Sequence, residues 1–505
     1  MKKLHKYVNI LLIVFFAALI LVRLFIKLDA IGLMDFDESK HASEAYEMFK
    51  RNAWIAHTYY WEIDYFNSKP PLYYWLTNIM FRLFGVSMVN FKLPSVISGA
   101  VLCGVMSAFL VKLQNKRFDK KFLVLISLPL FLAAYLSMDL VFDFHGFRAG
   151  NFDGVYTLFV LCALVFMVKA REDNKYLIPM GAFLGLGFLS KGFNLSSFVF
   201  CCLFSIPFLA KEKRVKYILC SILTATLVVL PWAALRFRFD GLEFFNHMIF
   251  GEAEDKVVGG SLEYFRVMHT YLTFRLFFYG LIFYMVAIAI KERSFKGWLK
   301  ALLSDLKEYA ILWIWFWVPI LFYTWAGVCN DWYIYSSYVI AALLLAIYFT
   351  IGVEALSESG KVVRGLANVV GCILLIVAAH NGITEIMWEN EYAGTGGGPA
   401  YPYRTDMRTI KEVYGDEYQG SYVYMEDVSR YDPNTVKHEM FYDITAYSEY
   451  ECDWHVMKGG IDAWENAEDG ILVINKNILD QFIDRLAGHV IIHDDGYIYF
   501  IHDMY

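Results

Sequence analysis

The chain has 505 residues, 58% of them hydrophobic, 18% aromatic and only 19% charged, with a mean hydropathy of +0.42. Soluble proteins keep about a quarter of their residues charged, so this balance, with its long apolar runs, excludes an ordinary soluble enzyme, a disordered chain and a nucleic-acid binder. The net charge of −6 hides a division: residues 1–384 carry 37 Lys+Arg against 27 Asp+Glu, and residues 385–505 carry 8 against 24, or +10 and −16. The expected domains are therefore a basic membrane region, 1–384, and an acidic soluble domain, 385–505.

Apolar stretches of about 17 to 25 residues are long enough to cross a hydrocarbon core as helices. Eleven are expected, near 8–28, 93–111, 122–140, 153–168, 176–190, 193–210, 217–235, 270–290, 309–326, 334–352 and 366–382. The fold class is a mostly α, polytopic transmembrane helical bundle of about 11 spans, with 12 or 13 as alternatives, followed by a small α/β domain. The segment 72–84 (LYYWLTNIMFRLF) is apolar but short, so it reads as either a re-entrant helix or a twelfth crossing.

Short cytoplasmic loops are enriched in Lys and Arg. Starting at the N-terminus, alternate loops contain Lys2, Lys3 and Lys6; Lys112, Lys116, Arg117, Lys120 and Lys121; Lys169, Arg171 and Lys175; Lys211, Lys213, Arg214 and Lys216; Lys291, Arg293, Lys296 and Lys300; then Lys361 and Arg364. This places the N-terminus in the cytoplasm and the C-terminal domain outside, and the first span reads as an uncleaved anchor. Six of the eight cysteines fall in spans, leaving Cys329 and Cys452 as the pair that a bridge would use.

Polar groups are costly at membrane depth, so clusters of them at one face are functional candidates. The first outer loop, about 29–92, contains DESKHASEAYEMFK, whose spacing describes an amphipathic helix along the membrane surface with Lys40, Glu44 and Glu47 off its apolar face. Asp37 and Glu38 open that helix; a carboxylate there can act as a base toward an acceptor hydroxyl, and Asp residues are also common helix caps. Lys69 in SKPP, and Lys191 in the later outer turn LSKGFN, can hold a phosphate or can simply snorkel. In the second outer loop Arg148 and Asp153 stand five residues apart, as a site or as a capped helix with a local ion pair. The third outer loop, about 236–269, offers His247 and Glu252 as acceptor or metal contacts, with Glu243, Glu254 and Asp255 nearby and no diagnostic ligand spacing.

The tail begins with AGTGGGPAYP and then alternates strand-like runs (SYVYM, EMFYDITAY, GILVI, HVIIHD, GYIYFI) with helical stretches, one around NKNILDQFIDRLAG, which predicts a small α/β domain.

Together DESKHASEAYEMFKRNAWI, DYFNSKPPLYYWLTNIMFRLFG, KLPS, NFDGVYTLF, GLGFLSKG and LPW, in that order over residues 35–235, resemble the GT-C membrane glycosyltransferases of the aminoarabinose transferase and protein O-mannosyltransferase branch. The resemblance implies inverting transfer, on the outer membrane face, of a sugar carried on a polyprenyl phosphate to a lipid A, protein or glycan acceptor. It implies catalytic roles for Asp37, Glu38 and Asp153, with Asp37 as the base, and donor-phosphate contacts for Lys40, Lys69 and Lys191; Arg148, from its place in the second outer loop, is a further candidate donor-phosphate contact. No cofactor is called for, although a divalent metal is compatible with the loop acids.

The chain departs from the family pattern at Ser68, where relatives carry an acid, at Asn330 and Asp331, where a lysine is usual, and at Lys92, where an arginine opens the KLPS segment. Two readings from other classes compete: a polytopic transporter or lipid flippase, which also needs many spans and a few buried charges, and a degenerate membrane part whose tail is a binding module.

Overall fold

The computed structural model describes residues 2–33, 36–118, 121–142, 145–251, 260–327, 330–394, 401–426, 439–495 and 497–501. All eleven apolar stretches lie in helices. Among the described residues eight helices are long and apolar enough to cross a membrane, and a ninth candidate is the pair Phe295–Glu308 and Ala310–Ala326, bent by 75°.

One of the eight, Asn174–Phe208, runs out and back. The helix Leu177–Lys191 ends at Gly192, whose φ of 61° breaks the axis, and the chain returns through Ser196–Ser205. The return is fixed at the far end, where the Asn174 amide donates to the carbonyls of Ala210 and Glu212 (2.8 and 2.7 Å) and the Ala210 N–H reaches the Ala170 carbonyl. The two expected segments, 176–190 and 193–210, are thus the arms of one hairpin.

The ambiguous helix Leu72–Phe84 stays at one end of the bundle. Its Tyr73 hydroxyl donates to the Phe91 carbonyl, Trp75 to the Trp54 carbonyl and Arg82 to Asn52, all groups of the first outer loop or the first turn of Met88–Arg117.

Basic loops expected on one side meet at one end of the bundle: Arg117 binds Asp305 (2.8 Å) and Glu308 (2.9 Å), and Lys116 binds Glu172 (2.6 Å). The opposite end holds the long loops. There the helix Phe36–Lys50 forms as expected, but Glu44 and Glu47 are fully buried and Lys40 nearly so. The surface-lying amphipathic helix is corrected to a helix enclosed on several faces, because the tail covers it. Tyr450 donates to the Ala42 carbonyl (2.9 Å), Tyr447 takes the Leu33 N–H (3.0 Å), and Ser39 bonds Asp443.

The tail holds a five-stranded sheet of order β4-β3-β5-β7-β6, made from β3 (Tyr422–Met425), β4 (His455–Met457), β5 (Ile471–Asn475), β6 (Val490–Asp495) and β7 (Tyr497–Ile501). A small hairpin, β1 (Thr58–Tyr59) and β2 (Glu62–Ile63), precedes it in the first outer loop. β3 pairs parallel with β4 and β5, and β7 pairs antiparallel with β5 and β6. Four of the five expected strand runs are strands; EMFYDITAY is instead part of the helix Glu439–Cys452. Its Asp443 to Glu449 are all buried, so the run has no polar face to betray a helical period, and its β-branched and aromatic residues mimic a strand.

The sheet and the bundle end share one apolar cluster, in which Ala42, Met48, Tyr74, Phe91 and Phe152 join Val423, Tyr447, Val473 and Tyr499. The helix Lys361–Gly394 runs straight through the expected boundary at 384, and at 34 residues it is about 51 Å long, more than a bilayer core needs. Cys452 is a free buried thiol donating to the Met407 carbonyl; Cys329 lies outside the described residues.

Candidate functional site

Four loops converge on the covered end. Glu38, fully buried in the first turn of Phe36–Lys50, accepts the Gly150 N–H (2.5 Å) and lies 3.5 Å from Lys92 Nζ. Lys92 also donates to the carbonyls of Ile31 and Gly32 (3.2 and 3.1 Å) just past the first span. The position that departs from arginine is therefore a three-way tie, suited to the three N–H groups of an ammonium. Gly150 is required there, since a Cβ would fall 2.0 Å from the Phe91 ring.

Asp153 lies in the first turn of Phe152–Lys169, capped by the Asn151 carboxamide, which accepts the Phe152 N–H (2.7 Å). Its partner is Lys191, 38 residues away, and not Arg148 as local spacing suggested. His145 Nδ1 stands 3.9 Å from the Asp153 carboxylate and its ring stacks on Trp332 at 4.0 Å. Lys191 Nζ lies over the Tyr333 ring at 4.7 Å. The loop that lacks the family's lysine thus supplies an aromatic wall: Trp332 and Tyr333 back the Asp153–Lys191 pair.

A Cβ on Gly192 would lie 3.3 Å from Pro70 and 3.5 Å from the Met248 sulfur, so the turn after Lys191 touches both the SKPP segment and the third outer loop. Lys69 is half-buried at this corner, with its backbone N–H on Asn67 Oδ1 (3.3 Å). Trp232, of the LPW motif, donates to the Ile55 carbonyl (3.2 Å) and closes the same corner.

Asp37 is half-buried in the same first turn as Glu38, and among the described residues no hydrogen bond or ion pair to its carboxylate is found. Asp35, the capping candidate before it, lies outside the described residues. Arg148 has a different setting: its guanidinium binds the Arg23 and Ile26 carbonyls and lies 3.3 Å from Glu389, which also pairs with Arg23 (2.7 Å). It ties the first and last spans together, away from Lys191. His247 is half-exposed, 3.5 Å from Glu243 and stacked on Tyr65, while Glu252, Glu254 and Asp255 lie outside the described residues.

Lys40 is 2.5 Å from Asp64, beside a buried cluster that sequence reasoning missed. Its ligand-type atoms belong to Glu44, His57 and Asp64. Burial pushes Glu44 up to about 8 and holds His57 below its ordinary value, while Asp64, although partly buried, is held well down by the Lys40 ammonium. Burial likewise raises Glu47 to about 7, against its neighbour Glu449. Nothing in the spacing of 44, 57 and 64 signals this cluster, which depends on the turn at β1 and β2.

With this geometry in view, residues 68–235 match the family model described as dolichyl-phosphate-mannose-protein mannosyltransferase. The chain is 25% identical over 362 residues to the undecaprenyl phosphate-alpha-4-amino-4-deoxy-L-arabinose arabinosyl transferase of Yersinia pestis (strain Pestoides F), covering 69% of this chain and 62% of that protein. It is 26% identical over 397 residues to the enzyme of the same name from Serratia proteamaculans (strain 568), covering 76% and 67%. The chain spans about three fifths of the length of the first of these relatives. The crystal structure of ArnT from Cupriavidus metallidurans bound to undecaprenyl phosphate superposes with a TM-score of 0.67 at 15% identity, over 97% of each chain.

The chain is a multi-pass membrane protein, mostly helical with a small C-terminal sheet, and its fold is like that of the ArnT structure. Over these stretches it is similar to the aminoarabinose transferases and to the protein mannosyltransferase family model.

Proposed function

We propose that the protein is an inverting glycosyltransferase that moves a sugar from a polyprenyl-phosphate donor to a hydroxyl of an envelope acceptor at the outer face of the cell membrane. The single observation that carries this reading is the convergence, at one covered end of the bundle, of Asp37 with the paired Asp153 and Lys191 and with the SKPP loop of Lys69. The relatives' names point to undecaprenyl phosphate as the donor lipid and to an amino pentose as the sugar.

In this reading Asp37 takes the proton of the acceptor hydroxyl as that oxygen bonds to the anomeric carbon. The bond from that carbon to the phosphate oxygen breaks on the opposite face, and its electron pair leaves with the lipid phosphate. General-base assistance contributes about 10²–10⁴-fold. The leaving phosphate already carries negative charge, so fixed cations stabilise the transition state most, and Lys69, Lys191 and Lys40 supply them. Asp153 holds Lys191 in place, and Glu38 holds the loop of Gly150 against the helix of Asp37. Arg148 secures the two spans that frame the site.

We assign the N-terminus and the basic loops to the cytoplasm, and the 385–505 domain to the outside, as a cover over the site. Mass spectrometry of envelope lipids, glycans and proteins from cells with and without the gene tests the function. One class loses a defined sugar mass if the proposal holds; unchanged profiles in all three classes contradict it.

A further inference from the structure

Glu44, His57 and Asp64 come together because the helix Phe36–Lys50 is followed by the β1–β2 hairpin, which folds His57 and Asp64 back over the helix's middle turn. One ligand-type atom from each lies within 4.8 Å of the other two. Glu44 Oε2 accepts from the Asn67 amide (2.6 Å) and from the Tyr74 hydroxyl. Its other oxygen, Oε1, is fully buried and has no donor among the described residues. The Glu44 and Asp64 carboxylates thus bring two acceptor atoms within 4.8 Å of each other. Two carboxylates this close favour a cation or a proton between them.

His57 supplies a second, independent sign. Its Nε2 lies 2.6 Å from the Asn67 carbonyl, which makes that nitrogen the N–H donor and leaves Nδ1 with its lone pair. A backbone carbonyl fixing the tautomer of a buried imidazole is the usual outer support of a metal-ligating histidine.

We propose that Glu44, His57 and Asp64 form a binding site for one divalent cation of the zinc class, pinning the β1–β2 loop to the helix that begins with Asp37. One imidazole and two carboxylates suit zinc by ligand type. The cation bridges Glu44 and Asp64 and draws Asp64 from Lys40. This couples the site to a residue of the proposed phosphate contacts without entering the transfer step.

The test uses the full chain in detergent, stripped with a chelator, equilibrated with micromolar Zn²⁺, desalted and assayed for zinc by mass spectrometry, with melting followed in parallel. The expected result is about one zinc per chain, a rise in Tm, and occupancy below about a tenth in Glu44→Gln and His57→Gln. Glu243→Gln, at the exposed His247 pair, keeps the full zinc. If either variant fails to fold, Asp64→Asn replaces it, with occupancy again below about a tenth. Wild-type protein without zinc, or folded variants with undiminished zinc, each overturn the proposal. None of these readouts depends on sugar transfer, so the zinc site and the proposed function fail separately.

Discussion

Single residues at the covered end divide by what holds them. Asp37 is half-buried with no partner found among the described residues, whereas its neighbour Glu38 is fixed by Gly150 and Lys92. A base must be free to receive a proton and a positioning carboxylate must not, so the adjacent acids separate by environment. The buried acids of the same helix set a pH dependence. In metal-free protein Glu44 stays protonated up to about pH 8 when folded, but the unfolded chain ionises it above the ordinary glutamate value of 4.5. The folded state therefore loses stability as pH rises from about 5 toward 8, and the loss is complete and level above that. Glu47, at about 7, acts in the same direction. Melting of chelator-treated protein is expected to show Tm declining over this window, with a shallower decline in Glu44→Gln; a Tm that rises from pH 5 to 8 contradicts the assignment. The sequence singles out Asp37, Lys69, Asp153 and Lys191 as candidates but not their partners, because Asp153 meets a lysine 38 positions away through the packing of Phe152–Lys169 on Leu177–Lys191.

Elements explain where periodicity succeeded and where it failed. Spans were legible because each is a long apolar run. The helix Phe36–Lys50 was legible as a helix and misread in its surroundings, since Lys40, Glu44 and Glu47 face the β1–β2 loop and the tail covers other faces, neither of which local sequence can place. The helix Glu439–Cys452 was misread as a strand for the related reason that burial on several faces erases its polar stripe. Lys92 links three elements: the end of the first span, the helix of Asp37 and its own span. Lys92→Met removes the cation and strands the Glu38 carboxylate in a buried place, at an expected cost of about 3–5 kcal/mol. Melting is expected to show a large fall in Tm, partly restored when Glu38→Gln is added, because the stranded charge is then neutral. Equal Tm in Lys92→Met and wild type contradicts the tie.

At the scale of the whole molecule, basic loops and the acidic tail lie at different ends. One end gathers Arg117, Lys116 and Arg171, while the other carries the sheet, joined to the bundle by a shared core and by Arg404, which binds Asp29 (2.7 Å) and Glu451 (2.8 Å). That shared core weighs against the tail as an independent binding module, since its removal exposes Ala42, Met48 and Phe91. Cysteines introduced at Lys213 and at Asp416 are expected to react with a membrane-impermeant maleimide from opposite sides of intact cells, Asp416 from outside. Labelling of both from one side contradicts the orientation.

The central claim is chemical and has a direct measurement. Purified full chain is given a polyprenyl-phosphate sugar and envelope acceptor, and the release of free polyprenyl phosphate is followed together with sugar on the acceptor. The account predicts coupled release and transfer in the wild type, with Asp37→Asn folded, melting normally, and slower by about 10²-fold or more. Full turnover in Asp37→Asn contradicts the assigned base; movement of the donor across proteoliposomes with no release of polyprenyl phosphate contradicts the transferase itself.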